Sequence, residues 1–234
     1  DSTTDLSPEL KERYGIEICP LGVTLGGKTY IDGVDITPDD IYAHHDKTGE
    51  LPKTSATNVG ECLDFFRKFT ESGKTVIHFT ISSEMSSTYA NACLAAEELE
   101  NVYVINTENL STGGGLLVVA AAQMREDGLS AEEIVEKTKA LVPCVDASFV
   151  IDSLEYLYKG GRCSALAMFG ANLLKLKPCI QVKNGKMDVA KKYRGKYDEV
   201  LKQYIREKVT DYSDIVLDRV FITHAGCDSK LVDE

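Results

Sequence analysis

The sequence predicts an α/β protein of two domains: a three-layer N-terminal domain with a parallel sheet over residues 1–146, and a smaller α+β domain over residues 147–234. In the first half, short apolar strand patterns alternate with helical patterns, which is typical of a parallel sheet covered by helices on both faces. In the second half, Asn184-Gly185 separates two strand patterns and is the strongest short-range signal for a β-hairpin. The length of 234 residues suffices for a core in each domain.

Helix-capping residues and glycines predict where helices begin and where the chain turns in the first domain. Thr37-Pro38-Asp39-Asp40 predicts a helix start, because a capping hydroxyl is followed by proline and by acids that favour the helix dipole. Asn58 with Glu61, and Ser130 ahead of the last helix, are candidate capping boxes. Gly26-Gly27 predicts a hairpin turn. The predicted strands cover residues 16–25, 28–31, 75–81 and 102–105, and further helices cover 86–99, 111–125 and 130–141.

The second domain is predicted to combine a hairpin with helices. Its strands are expected at residues 148–151, 180–182, 187–190 and 220–223, and its helices at 153–159, 165–175 and 197–209. The first domain, by contrast, opens on a polar turn at residues 1–6 with no strand before it. Because a parallel α/β fold of this kind begins with a strand, we expect a first strand to be missing and both ends to be incomplete.

Composition excludes several classes of function. The net charge of −11, from 26 basic and 37 acidic residues, argues against a broad nucleic-acid surface. No apolar run of about 18 residues and no secretory signal is present, so we expect a cytoplasmic protein. The seven cysteines are scattered without a C-x-x-C pair, which favours reduced, mostly buried thiols over a disulfide framework or zinc site. We predict neither a metal nor another cofactor.

Two hydroxyl-rich segments are candidate binding loops. The first, residues 53–57, contains Thr54 and precedes a helix; the second, residues 82–88, contains Ser86 and lies between an apolar strand and a helix. Loops after parallel strands hold ligands in open α/β sheets, and a helix N-terminus attracts an anion. Helix capping by Ser55, Thr57 or the second segment is the plainer interpretation, and the residues alone leave both open.

Arg162 is the third candidate, because it follows Gly160-Gly161 in a predicted tight turn and its guanidinium suits a carboxylate or a phosphate. A solvated surface arginine is the alternative. The Gly113–Gly115 run matches neither phosphate-binding glycine motif, so close packing at a helix start is the better interpretation. No nucleophile elbow and no His/Asp spacing suggests a hydrolase, and we predict no catalytic residue.

Residues 175–202 contain a basic stretch, although the chain as a whole is acidic. It is either a solvated face with lysines that protect strand edges, or a patch for an acidic partner or a transient contact with an anionic membrane surface. Its members are Lys175, Lys177, Lys183, Lys186, Lys191, Lys192, Arg194, Lys196 and Lys202.

Taken in chain order, these segments resemble the DegV family of bacterial fatty-acid-binding proteins. The matching motifs are residues 1–6 (D-S-T-T-D-L), 30–36 (Y-I-D-G-V-D-I), 52–55 (P-K-T-S), 81–89 (I-S-S-E-M-S-S-T-Y) and 154–162 (L-E-Y-L-Y-K-G-G-R). Ser87 stands where the family usually has glycine, so we expect a more restricted backbone there.

The resemblance implies a long-chain fatty acid held between two α/β domains. It implies that Thr54 and Ser86 hydrogen-bond the carboxyl group and that Arg162 lies at or near the same end. It also implies a binding subunit that is not itself a catalyst and that presents the carboxyl group to a separate, ATP-dependent kinase subunit of the dihydroxyacetone-kinase type, which makes acyl phosphate. The alternative hypothesis is an enzyme instead of a binding protein, acting on a small anionic substrate at Ser86 and Arg162. No general base stands at a recognisable spacing from them.

Overall fold

The computed structural model describes residues 1–164, 176–210 and 215–234. The chain divides into two compact units. The first consists of Asp1–Val145 together with Lys183–Lys186, and the second of Asp146–Val182 and Met187–Glu234.

The first unit begins with a small antiparallel sheet. The strand order is β2-β1-β3, and Gly26 and Gly27 make the tight β1–β2 turn with φ of +58° and +75°, which confirms the predicted hairpin. The strand predicted from residue 16 begins only at Gly22. The elements are a 3-10 turn (Ser2–Thr4), α1 (Pro8–Tyr14), β1 (Gly22–Leu25), β2 (Lys28–Ile31), α2 (Pro38–Thr48) and β3 (Lys53–Ser55).

A pair of parallel strands forms the centre of the first unit. β4 (Val76–Thr80) pairs in parallel with β5 (Val102–Asn106). The helices around them are α3 (Val59–Thr70), α4 (Thr88–Ala96), α5 (Ser111–Glu126) and α6 (Ala131–Leu141).

Helices cover both faces of this strand pair. Phe66 of α3 and Ala92 of α4 are fully buried in one cluster with Val76 and Val104 of the strands. The alternate position Tyr103 points to the other face, where its hydroxyl donates to Glu132 Oε1 of α6 at 2.6 Å. α5 packs beside α6 on this second face, so the predicted three-layer arrangement is confirmed.

The helix starts confirm the capping predictions. Thr37, Asn58 and Ser130 each accept a hydrogen bond from the backbone N–H three residues on, and the acid at that position bonds back to the cap. Gly115 of α5 confirms the close-packing interpretation, because a Cβ there would lie 2.9 Å from Thr4 O. Local sequence therefore determines where these helices begin and how closely α5 approaches its neighbour.

The second unit is a three-stranded sheet with one long helix. The strand order is β6-β7-β8, β6 and β7 are antiparallel, and Asn184-Gly185 makes the predicted turn with φ of +51° and +76°. Val150, Cys179, Tyr193 and Val200 form its core. The elements are β6 (Ser148–Val150), α7 (Glu155–Gly160), β7 (Lys177–Lys183), β8 (Lys186–Tyr193), α8 (Tyr197–Thr210) and α9 (Ser229–Asp233).

One predicted strand of the second half is wrong. Residues 220–223 belong to no described strand, and Val220 and Ile222 expose 54% and 66% of their surface. A short apolar run forms a strand only where a partner strand supplies hydrogen bonds and packing. The helix predicted for residues 165–175 lies outside the described residues. Among the described helices, none has the length and apolar character needed to cross a membrane.

Candidate functional site

The loop between β4 and α4 is held rigidly by its own hydrogen bonds. Ser82 N–H donates to Asn109 O at 2.9 Å, and Ser82 O accepts from the N–H groups of Met85 and Ser86 at 3.0 and 3.2 Å. The Ser82 side chain is fully buried and donates to Gly185 O at 2.7 Å, within the first unit. The side chain of Met85 is also buried. Ser86 is therefore presented from an ordered loop.

The Ser86 hydroxyl has a defined set of partners. Ser86 Oγ accepts from Thr88 N–H at 3.2 Å and lies 2.8 Å from Thr88 Oγ1, while its side chain stays half-buried. Thr88 is fully buried, so its hydroxyl has little access to other partners. When Thr88 donates in this pair, Ser86 accepts two hydrogen bonds and keeps its own proton available for an outside acceptor. This arrangement suits a carboxylate.

The first turn of α4 supports the same preference for an anion. Ser87 is the N-cap residue, and its side chain makes no capping hydrogen bond. Its φ of −77° and ψ of 0° are ordinary for any residue, so the serine that replaces glycine introduces no backbone strain. Free N–H groups at a helix start carry a partial positive charge, which adds to the attraction of Ser86 for an anion.

Thr54 lies in a strand and not in the predicted loop. It is exposed in β3 and pairs with Val23 of β1, so it belongs to the antiparallel sheet, whereas Ser86 follows β4 of the parallel pair. Thr54 and Ser86 are therefore associated with two different sheets of the first unit. The composition of residues 53–55 carries no signal for pairing with β1, which is a non-local contact.

A side-chain hydrogen bond nevertheless joins the segment after β3 to α4. Asn91 Nδ2 of α4 donates to Thr57 O at 2.9 Å, and Thr57 Oγ1 donates to Pro20 O at 3.2 Å. Thr57 is buried in this bridge and is not the predicted helix cap, a role that Asn58 fills. Because Thr57 lies three residues after Thr54, this bridge fixes the segment that carries Thr54 to the helix that follows Ser86.

Arg162 lies in the second unit, directly after α7. Gly161 adopts φ of +73° and ends the helix, which confirms the predicted left-handed termination. Arg162 is exposed, and its Nη1–H donates to Gly160 O at 2.7 Å. This contact with its own turn orients the guanidinium and leaves further donors for an anionic group.

The basic stretch is partly compensated by nearby acids. Ion pairs join Lys186 to Glu84 at 3.0 Å, Lys191 to Glu207 at 2.7 Å and Lys202 to Glu234 at 2.6 Å, and Lys177 contacts Asp152. Exposed pairs of this kind contribute little to stability but reduce the field that the lysines present. Lys175 lies outside the described residues.

Sequence reasoning missed two residues that organise the candidate site. Thr88 completes the hydrogen bonding of Ser86, and Asn91 holds the segment after β3. The hydroxyls of Ser86 and Thr88, two positions apart at a helix start, are a signal for the first contact. No local signal identifies Asn91, because its partner lies 34 residues away.

In the described ranges, no group of three or more His, Cys, Asp or Glu side chains is arranged to hold a metal ion.

Comparison with known proteins decides the family. A family model described as an uncharacterised protein of the DegV family matches residues 1–234. The chain belongs to the DegV family. A DegV domain-containing protein of Clostridium acetobutylicum is 38% identical over 197 residues, covering 83% of this chain and 71% of the relative. One from Staphylococcus aureus is 31% identical over 228 residues, covering 97% and 81%.

Solved DegV structures share the fold. A fatty-acid-binding DegV protein from Thermus thermophilus aligns with a TM-score of 0.83 and 30% identity, covering 92% of this chain and 76% of that one. A stearic acid-binding protein from Eubacterium ventriosum aligns with a TM-score of 0.79 and 34% identity, covering 90% and 77%. The DegV assignment predicted from the motifs is thus confirmed, together with the α/β fold.

Proposed function

We propose that this DegV protein binds a long-chain fatty acid and presents its carboxyl group to a separate ATP-dependent kinase subunit of the dihydroxyacetone-kinase type. In this proposal Thr54 and Ser86 hydrogen-bond the carboxyl group, and Arg162 is its cationic partner. The protein itself contributes binding and orientation in the cytoplasm, and the kinase forms the acyl phosphate.

The state of the Ser86 hydroxyl is the observation that carries the proposal. When Thr88 donates, its N–H and Oγ1 occupy two lone pairs of Ser86 Oγ, and the Ser86 proton is then available to an outside acceptor. An ionised carboxylate only accepts hydrogen bonds and is therefore the natural complement. The solved relatives at 30% and 34% identity are a fatty-acid-binding and a stearic acid-binding protein, which supports this ligand class.

The two ends of the ligand are expected to play different parts. Burial of about 15 CH₂ groups of a C16 tail contributes roughly 12 kcal/mol before the costs of binding. Each hydroxyl hydrogen bond to the head group contributes about 1 kcal/mol, or somewhat more with a charged acceptor. The tail should therefore set affinity, while Ser86 and Thr54 set the position of the carboxyl group.

Native mass spectrometry of the purified protein tests the ligand class. We expect the added mass of one fatty acid per chain, recovered and identified after organic extraction. A delipidated protein should regain the same mass with palmitate or oleate. A protein that carries no lipid and takes up neither acid would contradict the proposal.

Paired substitutions test the roles of the hydroxyls. Ser86→Ala and Thr54→Val should each lower kinase-dependent acyl phosphate formation about tenfold while reducing lipid retention by less than about threefold. Ser87→Ala is the matched control, because Ser87 makes no side-chain capping bond. Equal losses of retention and phosphorylation in the Ser86 and Thr54 variants would show that the head-group contacts do not act by positioning.

Arg162→Gln tests the cationic partner. We expect weaker phosphorylation with lipid retained, and the exposed Arg194 offers Arg194→Gln as the control in the same unit. Loss of the same size in both variants would assign the effect to general charge and not to Arg162.

A further inference from the structure

The loop that carries Ser86 is held by the loop that follows the neighbouring strand. We call residues 81–87, between β4 and α4, the Ser86 loop. Because β4 and β5 are parallel, the Ser86 loop and the loop after β5 leave the sheet at the same edge. The backbones of the two loops are joined directly, since Ser82 N–H donates to Asn109 O at 2.9 Å.

Asn106, the last residue of β5, adds a two-way contact between these loops. Its Nδ2 donates to Ser83 Oγ at 2.8 Å, and its Oδ1 accepts from Ser83 N–H at 3.2 Å. The same Oδ1 accepts from Glu108 N–H at 3.1 Å. Two N–H groups therefore point at one end of the amide, and a reversed amide would oppose donor to donor at both. The partners of Asn106 thus fix the orientation of its side chain.

The two partners of Asn106 differ in what they require. The bond from Glu108 N–H is a local turn contact, and it supports Glu108 at a φ of +51°, which is uncommon for a residue with a side chain. The bonds to Ser83 span 23 residues of sequence, and the local turn does not need them. Their effect falls on the Ser86 loop.

Ser83 lies inside the turn that places Ser86. Ser82 O accepts from the N–H groups of Met85 and Ser86 at 3.0 and 3.2 Å, so residues 83 and 84 form the tip of this turn. Ser83 and Glu84 are both exposed, and burial therefore contributes little to holding the tip. Loss of the bonds from Asn106 should let the tip open and move the Ser86 hydroxyl.

We propose that Asn106 is a positioning residue for the Ser86 hydroxyl and acts on it through Ser83. This inference rests on the proposed function, in which Ser86 Oγ binds the carboxyl group of a fatty acid. A displacement of about 1 Å at a reacting group is enough to slow a reaction strongly, whereas the tail supplies most of the affinity. Asn106 should therefore affect phosphorylation of the bound acid more than its retention.

Hydrogen exchange of the Ser86 amide tests the structural step without ligand or kinase. Asn106→Leu removes both bonds to Ser83 and should speed this exchange at least about tenfold. Asn106→Asp should stay within about threefold of wild type, because a carboxylate accepts from both Ser83 N–H and Ser83 Oγ–H. Glu108→Gln is the control in the same loop, since Asn106 contacts the backbone of Glu108 and this variant keeps it.

Ser83→Ala approaches the same contact from its other side. It removes the bond to Asn106 Nδ2 and keeps the bond to Oδ1, so exchange of the Ser86 amide should rise by about threefold. Ser83 is exposed, and its truncation leaves the core intact, so this variant decides the question even if Asn106→Leu does not fold.

A double-mutant cycle tests the link to function. Asn106→Leu should lower kinase-dependent acyl phosphate formation about tenfold and lipid retention by less than about threefold. In the Ser86→Ala background, the same substitution should lower phosphorylation by less than about twofold, because the hydroxyl that it positions is already absent.

Two results would overturn the inference. Equal exchange of the Ser86 amide in wild type, Asn106→Leu and Ser83→Ala would show that Asn106 does not hold the loop. A further tenfold loss of phosphorylation in the double variant would show that Asn106 acts independently of Ser86. Wild-type phosphorylation by Ser86→Ala, with faster exchange in Asn106→Leu, would instead overturn the proposed function and support the role of Asn106 in holding the loop.

Discussion

The interior of each of the two units is stabilised by a different kind of contact. In the first unit, Phe66 and Cys62 of α3 and Ala92 and Ala95 of α4 are completely buried in an apolar cluster. In the second unit, tyrosine hydroxyls join the sheet to α8: Tyr197 donates to Val150 O at 3.0 Å, and Tyr204 donates to Ser148 O at 2.8 Å.

This difference follows from how each sheet is covered. The parallel pair of the first unit has helices on both faces, so its side chains are apolar and small helix residues permit close approach. The second unit packs a single long helix on a three-stranded sheet, and half-buried tyrosines there keep an apolar ring inside while the hydroxyl finds a partner. Stability in the first unit should respond to lost volume, and in the second to lost hydrogen bonds.

The largest expected effect is the loss of volume in the first unit. Phe66→Ala should lower the free energy of unfolding by about 3–5 kcal/mol, because Phe66 is completely buried and its removal leaves a cavity. Denaturant unfolding monitored on the first unit measures it. Leu94→Ala on α4, where Leu94 exposes 52% of its surface, should cost less than about 1 kcal/mol. Similar losses in both variants would contradict the volume argument.

A smaller effect is expected from the tyrosine contacts of the second unit. Tyr204→Phe should cost about 1–2 kcal/mol, because Ser148 O loses its donor and Ser148 Oγ loses a partner at 2.8 Å. Tyr158→Phe, at a tyrosine that exposes 58% of its surface, is the control and should be close to neutral. If Tyr204→Phe is also neutral, packing alone holds α8 to the sheet.

The smallest effect is the pH dependence of Glu207. Hydrogen bonds from Lys191, Tyr193 and Gln203 lower the pKa of this carboxyl to about 2 from 4.5. Its contribution is present above the unfolded pKa of 4.5 and is lost as the pH falls towards about 2. The difference in unfolding free energy between wild type and Glu207→Gln should thus shrink below pH 4.5. A constant difference for Glu207→Gln would contradict the assignment.

Local signals in the sequence predicted the fold well. The caps at Thr37, Asn58 and Ser130 act within one turn, and the Gly26-Gly27 and Asn184-Gly185 turns within two residues, so their physics is visible in the chain itself. Sheet membership depends on distant partners. For that reason the sequence did not predict β3 as a strand, whereas it did predict a strand at residues 220–223, where the structure has none.

In the candidate site, too, local features could be predicted from the sequence and features that depend on distant partners could not. Placement of Ser86 at a helix start was visible from the apolar strand before it and the alanine-rich helix after it. The strand position of Thr54 and the Asn91–Thr57 contact were not, because both depend on pairings across the first unit. The roles of Thr54, Ser86 and Arg162 stay predictions.

A crystal structure of this chain with bound palmitate tests the central claim most directly. The account predicts a carboxyl oxygen at about 2.5–3.0 Å from Ser86 Oγ, with Thr54 Oγ1 on the same head group. A carboxyl group bound elsewhere, with Ser86 still paired only with Thr88, would contradict it.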